Sequence, residues 1–443
     1  MTLLYNATLV TAEKEGKGSI IIDGDIIKKV IWADAEDYDS ILSEIDCGHR
    51  EDLSGRHIMA GGIDAHVHFR EPGLTHKADI YTESRAAAAG GVTTVFDMPN
   101  TNPPTIDAKT LKDKIEAAKD RSAVNIGFHI GATNSNTDDI LRLISEGSND
   151  EGLSPEDIAG IKVFMGSSTG NMLVDGESAL EKIFDTRLKP VLVHCEDETI
   201  IRENLTKAKE EYGDNIPFEE HSNIRSRKAC IKSSAKALEL AIKHGTRLTL
   251  CHISTKEELE MVKAAKLINP EICAETSCNY LWFCDEAYSI LGSRAKCNPA
   301  LKTAQDRQAL REGISSGAID CIGSDHAPHL PQEKDAPYLQ APSGLPSIQQ
   351  TLPVLLTIAH QDGIPLTRIA AVFSENASKI YNLKRGCITE GYKADLVVFD
   401  LNKEFTVKEE EQLSKCGWTP YEGEKLKGMI ETVYCNGKVI YGI

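Results

Sequence analysis

Apolar and polar residues follow one pattern at the two ends of the chain and a different one between them. At the ends, Gly-Asp, Asp-Gly and Asn-Gly turns separate short apolar runs, and Asn436-Gly437 is a strong hairpin signal. The runs that predict strands lie at residues 3–10, 19–23, 26–31, 394–400 and 429–439. We therefore expect residues 1–56 and 386–443 to form one small β-sandwich domain.

Between these ends, apolar segments alternate with segments of helical period. Helical periodicity is clear at residues 109–121, 228–244 and 306–317. Eight apolar segments predict buried strands, at residues 58–69, 92–98, 124–131, 160–165, 190–195, 247–253, 272–276 and 319–325. Eight strand–helix units predict a (β/α)8 TIM barrel over residues 57–385. A doubly wound open sheet is the alternative, but no Gly-x-Gly-x-x-Gly motif follows the first strand.

Composition limits the classes of partner. The 443 residues are 41% hydrophobic and 26% charged, which is ordinary for a globular protein with a full core. A net charge of −18 opposes binding to nucleic acid or to an anionic membrane. We find no signal peptide and no apolar run long enough to span a bilayer. Twelve scattered cysteines without a C-x-x-C pair indicate free thiols and a cytoplasmic location.

Residues that commonly bind metal ions end several of the predicted strands. His66 and His68 end the first strand, and their i, i+2 spacing places both rings on one face. His194, His252 and Asp325 end the fifth, sixth and eighth strands. Barrel enzymes place their active sites at this end of the strands. Any one of these side chains is compatible with a structural role, but together they predict a metal site.

Lys162 lies in the fourth predicted strand, where both faces are expected to be buried. A buried ammonium is unfavourable unless it is paired or neutralised. One interpretation is an ion pair at the end of the strand. The other is that Lys162 reacts with CO2 to give a carbamate whose two oxygens bridge two cations. Because four imidazoles carry no negative charge, two divalent ions would need Asp325 and one further anion, so this second interpretation predicts a binuclear site, with Zn2+ favoured.

A binuclear site predicts hydrolysis of a carbonyl compound. Two ions about 3.5–4 Å apart can hold a bridging hydroxide that is nucleophilic at neutral pH. Asp325 would accept its proton and return it to the leaving group. Arg70, Asn100 and His329 are expected at the same rim, and together they favour a substrate that carries a carboxylate.

Three residues near these positions are interpreted as structural. His129 in the third strand is predicted to be a core histidine. Cys195 and Cys251 adjoin proposed ligands, but strand alternation predicts that both point away from the site. The loop at residues 166–171 is rich in small residues, and no role is assigned to it.

Three segments resemble the dihydroorotases of the amidohydrolase superfamily. They are Asp64-Ala65-His66-Val67-His68-Phe69-Arg70-Glu71-Pro72-Gly73, Met98-Pro99-Asn100-Thr101-Asn102-Pro103-Pro104-Thr105 and Asp325-His326-Ala327-Pro328-His329. The resemblance implies a homodimeric enzyme that interconverts dihydroorotate and N-carbamoyl-aspartate in pyrimidine synthesis. Hydantoinases, dihydropyrimidinases and allantoinases share the metal ligands but act on neutral rings. A non-catalytic scaffold is a further alternative.

The resemblance also implies a role for each matching position. One Zn2+ would be held by His66, His68, carboxylated Lys162 and Asp325, and the other by the same carbamate, His194 and His252. The family's substrate contacts would fall on Arg70, Asn100, Asn298, His329, Ser343 and Gly344. Two segments depart from the family pattern: Cys278-Asn279-Tyr280 stands where many relatives have Pro-His-His, and Lys302 stands where the usual motif ends in arginine.

Overall fold

The computed structural model describes residues 1–36, 38–166 and 172–442, with the backbone only at Asp39. Residues 167–171, within the small-residue loop noted above, lie outside the described part. The strands, in chain order, are β1 (Thr2–Val10), β2 (Glu15–Asp23), β3 (Ile26–Trp32), β4 (His49–Asp52), β5 (His57–Ala60), β6 (Gly62–Val67), β7 (Val92–Asp97), β8 (Asn125–Gly131), β9 (Ile158–Phe164), β10 (Val191–His194), β11 (Leu248–Leu250), β12 (Cys273–Thr276), β13 (Cys321–Ile322), β14 (Leu396–Thr406), β15 (Lys425–Cys435) and β16 (Lys438–Gly442).

The α-helices are α1 (Tyr38–Glu44), α2 (Ile80–Ala89), α3 (Ala108–Ala118), α4 (Thr137–Glu146), α5 (Glu177–Phe184), α6 (Glu198–Tyr212), α7 (His221–Ile224), α8 (Arg227–His244), α9 (Lys256–Lys266), α10 (Cys278–Trp282), α11 (Ala287–Leu291), α12 (Ala304–Ser316), α13 (Pro331–Lys334), α14 (Thr351–Asp362), α15 (Leu366–Ala370) and α16 (Asn376–Ile380). Three of them, α3, α8 and α12, confirm the helices expected from periodicity. In the described part of the chain, no helix combines the length and the apolar character needed to cross a bilayer.

Strands β6 to β13 form the predicted barrel. Each pairs in parallel with the next, in the order β6-β7-β8-β9-β10-β11-β12-β13. The first and last strands meet through a parallel bridge between Val67 and His326, and the His68 N–H donates to the His326 carbonyl at 2.8 Å. Helices lie between the strands along the chain, and the strands are almost entirely buried. The (β/α)8 architecture is therefore confirmed.

The predicted first strand, residues 58–69, is wrong as a single element, because it divides into β5 and β6 in different sheets. The Gly61 N–H donates to the Asp395 carbonyl of the terminal sheet, whereas the Gly62 N–H donates to the Gly91 carbonyl of the barrel. A side chain at Gly61 would lie 2.3 Å from Thr93 Cγ2, so the chain passes close to its neighbour there. Both halves are apolar, and hydrophobic pattern alone cannot reveal a change of pairing partner.

Both termini contribute to a second, largely antiparallel sheet, with strand order β16-β15-β14-β5-β1-β2-β3 and β4 beside β1. The predicted hairpin is present, since Cys435 pairs with Lys438 and Asn436 and Gly437 have φ values of 49° and 74°. Leu4 from one end of the chain and Leu396 from the other share one apolar core. The division into domains at residues 56/57 and 385/386 remains a proposal.

Candidate active site

The predicted site residues meet in one cleft at the carboxyl ends of the barrel strands. One wall, the histidine-lined half, consists of His66, His68, Lys162, His194, His252 and Asp325. The other, the arginine-lined half, consists of Arg70, Asn298, His329, Ser343 and Gly344. All of these residues line the cleft directly except His329, whose Nε2 lies 2.9 Å from Arg70 Nη2. Asn100 contacts His68, with its Oδ1 2.8 Å from His68 Nδ1.

His66 and His68 present one ring nitrogen each to the same carboxylate. Their Nε2 atoms lie 3.5 and 3.1 Å from Asp325 Oδ1. On the other side of each ring, His66 Nδ1 is 2.7 Å from Glu275 Oε1 and His68 Nδ1 is 2.8 Å from Asn100 Oδ1. With the Nδ1–H groups donating to these oxygens, both Nε2 lone pairs face Asp325. A carboxylate between two acceptor nitrogens is an arrangement that a bound cation stabilises.

His194 and His252 form a second pair of imidazoles beside the first. His194 Nε2 is 3.0 Å from Glu196 Oε2, and its Nδ1 is 2.9 Å from His252 Nε2. Burial acts to raise the pKa of Glu196, but Arg225 and His194 lower it to about 2. The Glu196 carboxylate therefore holds the Nε2–H of His194, which turns the Nδ1 lone pair into the cleft.

Asp325 is placed by a left-handed backbone with φ 49°. Ligand-type atoms of His66, His68 and Asp325 all lie within 4.8 Å of one another. The donor set of imidazole nitrogen and carboxylate oxygen suits Zn2+, so the residues present fit a metal ion.

Lys162 is fully buried beneath these ligands. Its Nζ lies 3.4 Å from His66 Nε2 and 3.4 Å from Cys251 Sγ. No carboxylate of the described residues forms an ion pair with it. The ion-pair interpretation of Lys162 therefore has no partner in the described part of the chain.

Cys251 contradicts the prediction that it points away from the site. Its thiol contacts Lys162, whereas alternation would have turned it to the helix side. Strand β11 ends at Leu250 and His252 has φ 38°, so the period of two is lost before the ligand is reached. Cys195 packs in the main core with the helices, as predicted, and burial raises its pKa to about 12.

His129 is a core histidine, as predicted. Its Nε2 donates to the Ala65 carbonyl at 3.0 Å, and its ring packs against Phe96 and Tyr381. Burial lowers the pKa of His129 to about 3, so the ring is neutral. All twelve cysteines of the chain are free thiols, which agrees with their interpretation from the sequence.

Arg70 faces the cleft from the opposite wall. It is only 2% exposed and has φ 67°. Its Nε donates to the Pro328 carbonyl at 3.0 Å, and its Nη2 lies 2.9 Å from His329 Nε2. Burial lowers the pKa of Arg70 to about 10, which still leaves it charged at neutral pH. Within the described residues no carboxylate pairs with this guanidinium, so a buried positive charge is available to an anionic ligand.

The Asn298 segment is fixed by side chains on both sides of it. The Tyr280 hydroxyl donates to the Pro299 carbonyl at 2.7 Å, and His221 Nε2 donates to the Cys297 carbonyl at 2.8 Å. Asn298 Oδ1 is buried and has no hydrogen-bond partner among the described residues. This oxygen is therefore an acceptor held in place at the cleft wall.

The two segments that depart from the family pattern both support this wall. Asn279 Oδ1 accepts from the Tyr421 hydroxyl at 3.0 Å, and Lys302 Nζ donates to the Ala300 carbonyl at 2.7 Å. Tyr280 supports Asn298 as described above. Residues 278–280 and Lys302 thus contact protein backbone and side chains rather than the cleft itself.

Gly344 completes the wall with a backbone that only glycine adopts readily. Its φ is 143°, and a Cβ would lie 2.6 Å from the Ala327 carbonyl oxygen. Lys334 Nζ donates to the carbonyls of Gly344 and Pro342, at 3.2 and 2.8 Å. A buried lysine thus holds the loop that carries Ser343 and Gly344.

Sequence reasoning missed Glu275 and Glu196, which accept from the rings of His66 and His194. Glu275 lies within the apolar seventh strand, β12, and is fully buried, and burial raises its pKa to about 7. The signal that singled out Lys162, a charged residue inside a buried strand, was present at Glu275 as well. Glu196 follows His194 by two residues, on the loop after β10.

Comparisons with known proteins show the family and the fold of the chain. The amidohydrolase family matches residues 57–440. A dihydroorotase from Methanosarcina acetivorans is 34% identical over 386 residues, covering 84% of this chain and 79% of the relative. An allantoinase from Desulfitobacterium hafniense is 31% identical over 458 residues, covering 99% and 95%. The solved L-hydantoinase from Arthrobacter aurescens superposes with a TM-score of 0.90 at 24% identity, covering 100% of this chain and 96% of that one.

Proposed function

Because the chain belongs to the amidohydrolase family, we propose that it is a dihydroorotase, a hydrolase that reversibly opens the cyclic amide of dihydroorotate to give N-carbamoyl-aspartate. The family and the dihydroorotase relatives support a hydrolase acting on cyclic amides. The choice of substrate within that class rests on the cleft itself.

The observation that supports this choice most strongly is the environment of the Arg70 side chain. Its guanidinium is charged, buried and without a carboxylate partner among the described residues, and it lines the same cleft as the proposed metal ligands. Dihydroorotate carries a carboxylate on the ring carbon that one methylene separates from the attacked carbonyl, whereas the rings of hydantoin, dihydrouracil and allantoin are neutral. A guanidinium fork pairs well with a carboxylate, and a neutral ring would leave the charge uncompensated.

Asn298 and Asn100 are proposed to orient the ring. Asn298 Oδ1 is a buried acceptor at the cleft wall, suited to a ring N–H. Asn100 Oδ1 accepts from His68 at 2.8 Å, which places Asn100 next to a proposed metal ligand. Ser343 and Gly344 would add backbone contacts from the loop that Lys334 holds.

We propose that the histidine-lined half holds two Zn2+ ions. His66, His68 and Asp325 would bind one, His194 and His252 the other, and carboxylated Lys162 both. In the carboxylation, the Lys162 ammonium first loses a proton. The neutral Nζ then forms a bond to the carbon of CO2 and releases a second proton, so that a cation becomes an anion. When bound, such ions would polarise the ring carbonyl and lower the pKa of water.

Asp325 is proposed to be the group that moves the proton. Its Oδ1 lies 3.5 and 3.1 Å from the Nε2 atoms of His66 and His68, and the side chain lines the cleft. It would accept a proton from the water that attacks the ring carbonyl. It would then deliver that proton to the ring nitrogen as the carbon–nitrogen bond breaks.

A matched pair of substrates tests this proposal. Dihydroorotate and dihydrouracil share the ring, and only the first carries the carboxylate. We expect ring opening, followed by ultraviolet absorbance, with dihydroorotate, and at least about a hundredfold lower kcat/KM with dihydrouracil or allantoin. Faster turnover of allantoin than of dihydroorotate would assign the chain to the allantoinases instead. A purified sample with no metal and no turnover in bicarbonate would favour a non-catalytic scaffold.

We propose that the enzyme is a homodimer located in the cytoplasm. Homodimer formation follows from the resemblance to dihydroorotases, and mass photometry would test it. Twelve free thiols agree with a reducing, cytoplasmic environment.

A further inference from the structure

The hydrogen-bonding partners of His329 determine which of its ring nitrogens carries the hydrogen. Lys77 Nζ lies 3.1 Å from Nδ1 and can only donate, so Nδ1 must supply a lone pair. The Ser343 carbonyl lies 3.1 Å from Nε2 and can only accept. Burial and the nearby cations Arg70 and Lys77 hold the pKa of His329 well below its ordinary value, so the ring is neutral. The Nε2–H tautomer satisfies two of the three contacts of the ring, those with Lys77 and with the Ser343 carbonyl. The Nδ1–H tautomer satisfies only the contact with Arg70 Nη2 at 2.9 Å, so we infer the Nε2–H tautomer.

This tautomer has a consequence for Arg70. The guanidinium Nη2 lies 2.9 Å from His329 Nε2, but it cannot donate to a nitrogen that already bears a hydrogen. A neutral imidazole has one lone pair, and Lys77 occupies it. If Lys77 did not donate to Nδ1, the ring could adopt the other tautomer, and Nε2 would accept from Arg70.

We propose that Lys77 is a positioning residue that holds His329 in the Nε2–H tautomer and so keeps the Arg70 guanidinium available for the substrate carboxylate. The identity of that carboxylate rests on the proposed function, whereas the tautomer does not. In this arrangement His329 cannot satisfy Arg70 internally, and the anion that enters the cleft supplies the missing acceptor.

The loop before α2 places Lys77 for this role. The Leu74 N–H donates to the Arg70 carbonyl at 3.0 Å, and the Lys77 N–H donates to the Leu74 carbonyl at 2.9 Å, so two successive turns join the two cations. Lys77 Nζ also forms an ion pair with Glu333 Oε1 at 2.8 Å, and the lysine side chain is 13% exposed. The ammonium is thus held between Glu333 and the imidazole.

The experiment compares Lys77→Met with wild type by steady-state kinetics and by 15N NMR of the histidine rings, with His329 assigned from its own substitution. We expect KM for dihydroorotate to rise about tenfold in Lys77→Met, with kcat within about twofold and metal content unchanged. The His329 signals should change from the Nε2–H pattern toward the Nδ1–H pattern. Lys77→Arg keeps a donor and should restore both readouts.

Glu333→Gln is the matched control. It removes the ion pair but leaves Lys77 able to donate, so the His329 tautomer should be retained and KM should stay within about twofold. A KM increase in Glu333→Gln equal to that in Lys77→Met, with no change of tautomer in either, would overturn the proposal in favour of a purely structural ion pair. If Lys77→Met fails to fold, Lys77→Ala provides the same comparison.

The outcomes separate this inference from the proposed function. Absence of dihydroorotate turnover in the wild type would reject the proposed function, while the NMR comparison would still test Lys77. Normal wild-type turnover with an unchanged tautomer and KM in Lys77→Met would reject the role of Lys77 and leave the proposed function intact.

Discussion

The histidine-lined half and the arginine-lined half of the cleft are built in different ways. The first takes its side chains from strand ends of the barrel and from residues just beyond them, and buried acceptors such as Glu275 and Glu196 orient the rings. The second takes its side chains from loops, and its backbone is held by Tyr280, His221 and Lys334. Strand ends fix the backbone of the first half, so that only its rings need buried acceptors, whereas the loops of the second half need buried donors to fix their carbonyls.

Because the two halves differ in this way, substitutions in each half should change a different measured property. Changes in the histidine-lined half should alter metal content. Changes in the arginine-lined half should alter substrate affinity and leave metal content intact.

Lys162→Ala should have the largest effect. Without the carbamate, the two proposed ions would lose their shared anionic ligand, so we expect metal stoichiometry to fall below two per chain and ring opening to become undetectable. Elemental analysis and the ultraviolet assay would be run on the same sample. Added acetate or propionate should restore part of both, because a free carboxylate can occupy the space that the side chain leaves. Full metal content and activity without the additive would contradict a bridging role for Lys162.

Arg70→Met should affect only the arginine-lined half of the cleft. Removing one partner of a buried charge pair costs about 2–5 kcal/mol, so kcat/KM for dihydroorotate should fall about a hundredfold or more. Metal content should not change, and turnover of the neutral ring dihydrouracil should be affected much less. Arg70→Lys keeps the charge without the fork and should give an intermediate loss. Unchanged kinetics with dihydroorotate would remove the substrate assignment.

Glu275→Leu should weaken metal binding without changing the affinity for substrate. Loss of the acceptor for His66 Nδ1 frees the ring to rotate or to change tautomer, and such outer partners are worth about 10–100-fold in metal affinity. Competition with a chelator measures the change, and Glu275→Gln, which keeps an acceptor, should lie between Leu and wild type. Equal metal affinity in all three proteins would show that His66 is oriented by other contacts.

Tyr280→Phe should have the smallest effect. It removes the hydroxyl that donates to the Pro299 carbonyl, which loosens the Asn298 segment, and a loss of about 1 kcal/mol corresponds to roughly a fivefold rise in KM. Tyr434→Phe in the terminal sheet removes a hydroxyl that donates to Glu51, far along the fold, and serves as the control. A change in metal content rather than in KM would show that Tyr280 supports the histidine-lined half instead.

Most of the histidine-lined half was predictable because strand order and strand ends are visible in the pattern. His66, His68, His194 and Asp325 each follow an apolar segment, and parallel barrel strands all end at one rim. The predicted orientation of Cys251 was wrong because strand alternation was assumed beyond Leu250, where the strand has already ended. Positive φ at His252 and Asp325 is a feature of the folded backbone that residue type does not reveal.

The arginine-lined half was predictable only in part. Arg70 and Asn100 stand next to recognisable motifs, but Asn298, Ser343 and Gly344 came from resemblance alone. Lys77, in the loop before α2, and Lys334, the last residue of α13, gave no signal, because lysines are ordinarily exposed. Their burial depends on how segments distant in sequence pack together.

The sequence by itself determined the barrel, the terminal sheet and the chemical character of the rim, because periodicity and residue type are local properties. Only the tertiary structure decided that β5 and β6 belong to different sheets, that Glu275 orients His66, and that Lys77 and Arg70 meet the same imidazole. The pairing of a strand and the hydrogen-bond partners of a buried ring depend on which distant segments become neighbours, and a one-dimensional pattern does not carry that information.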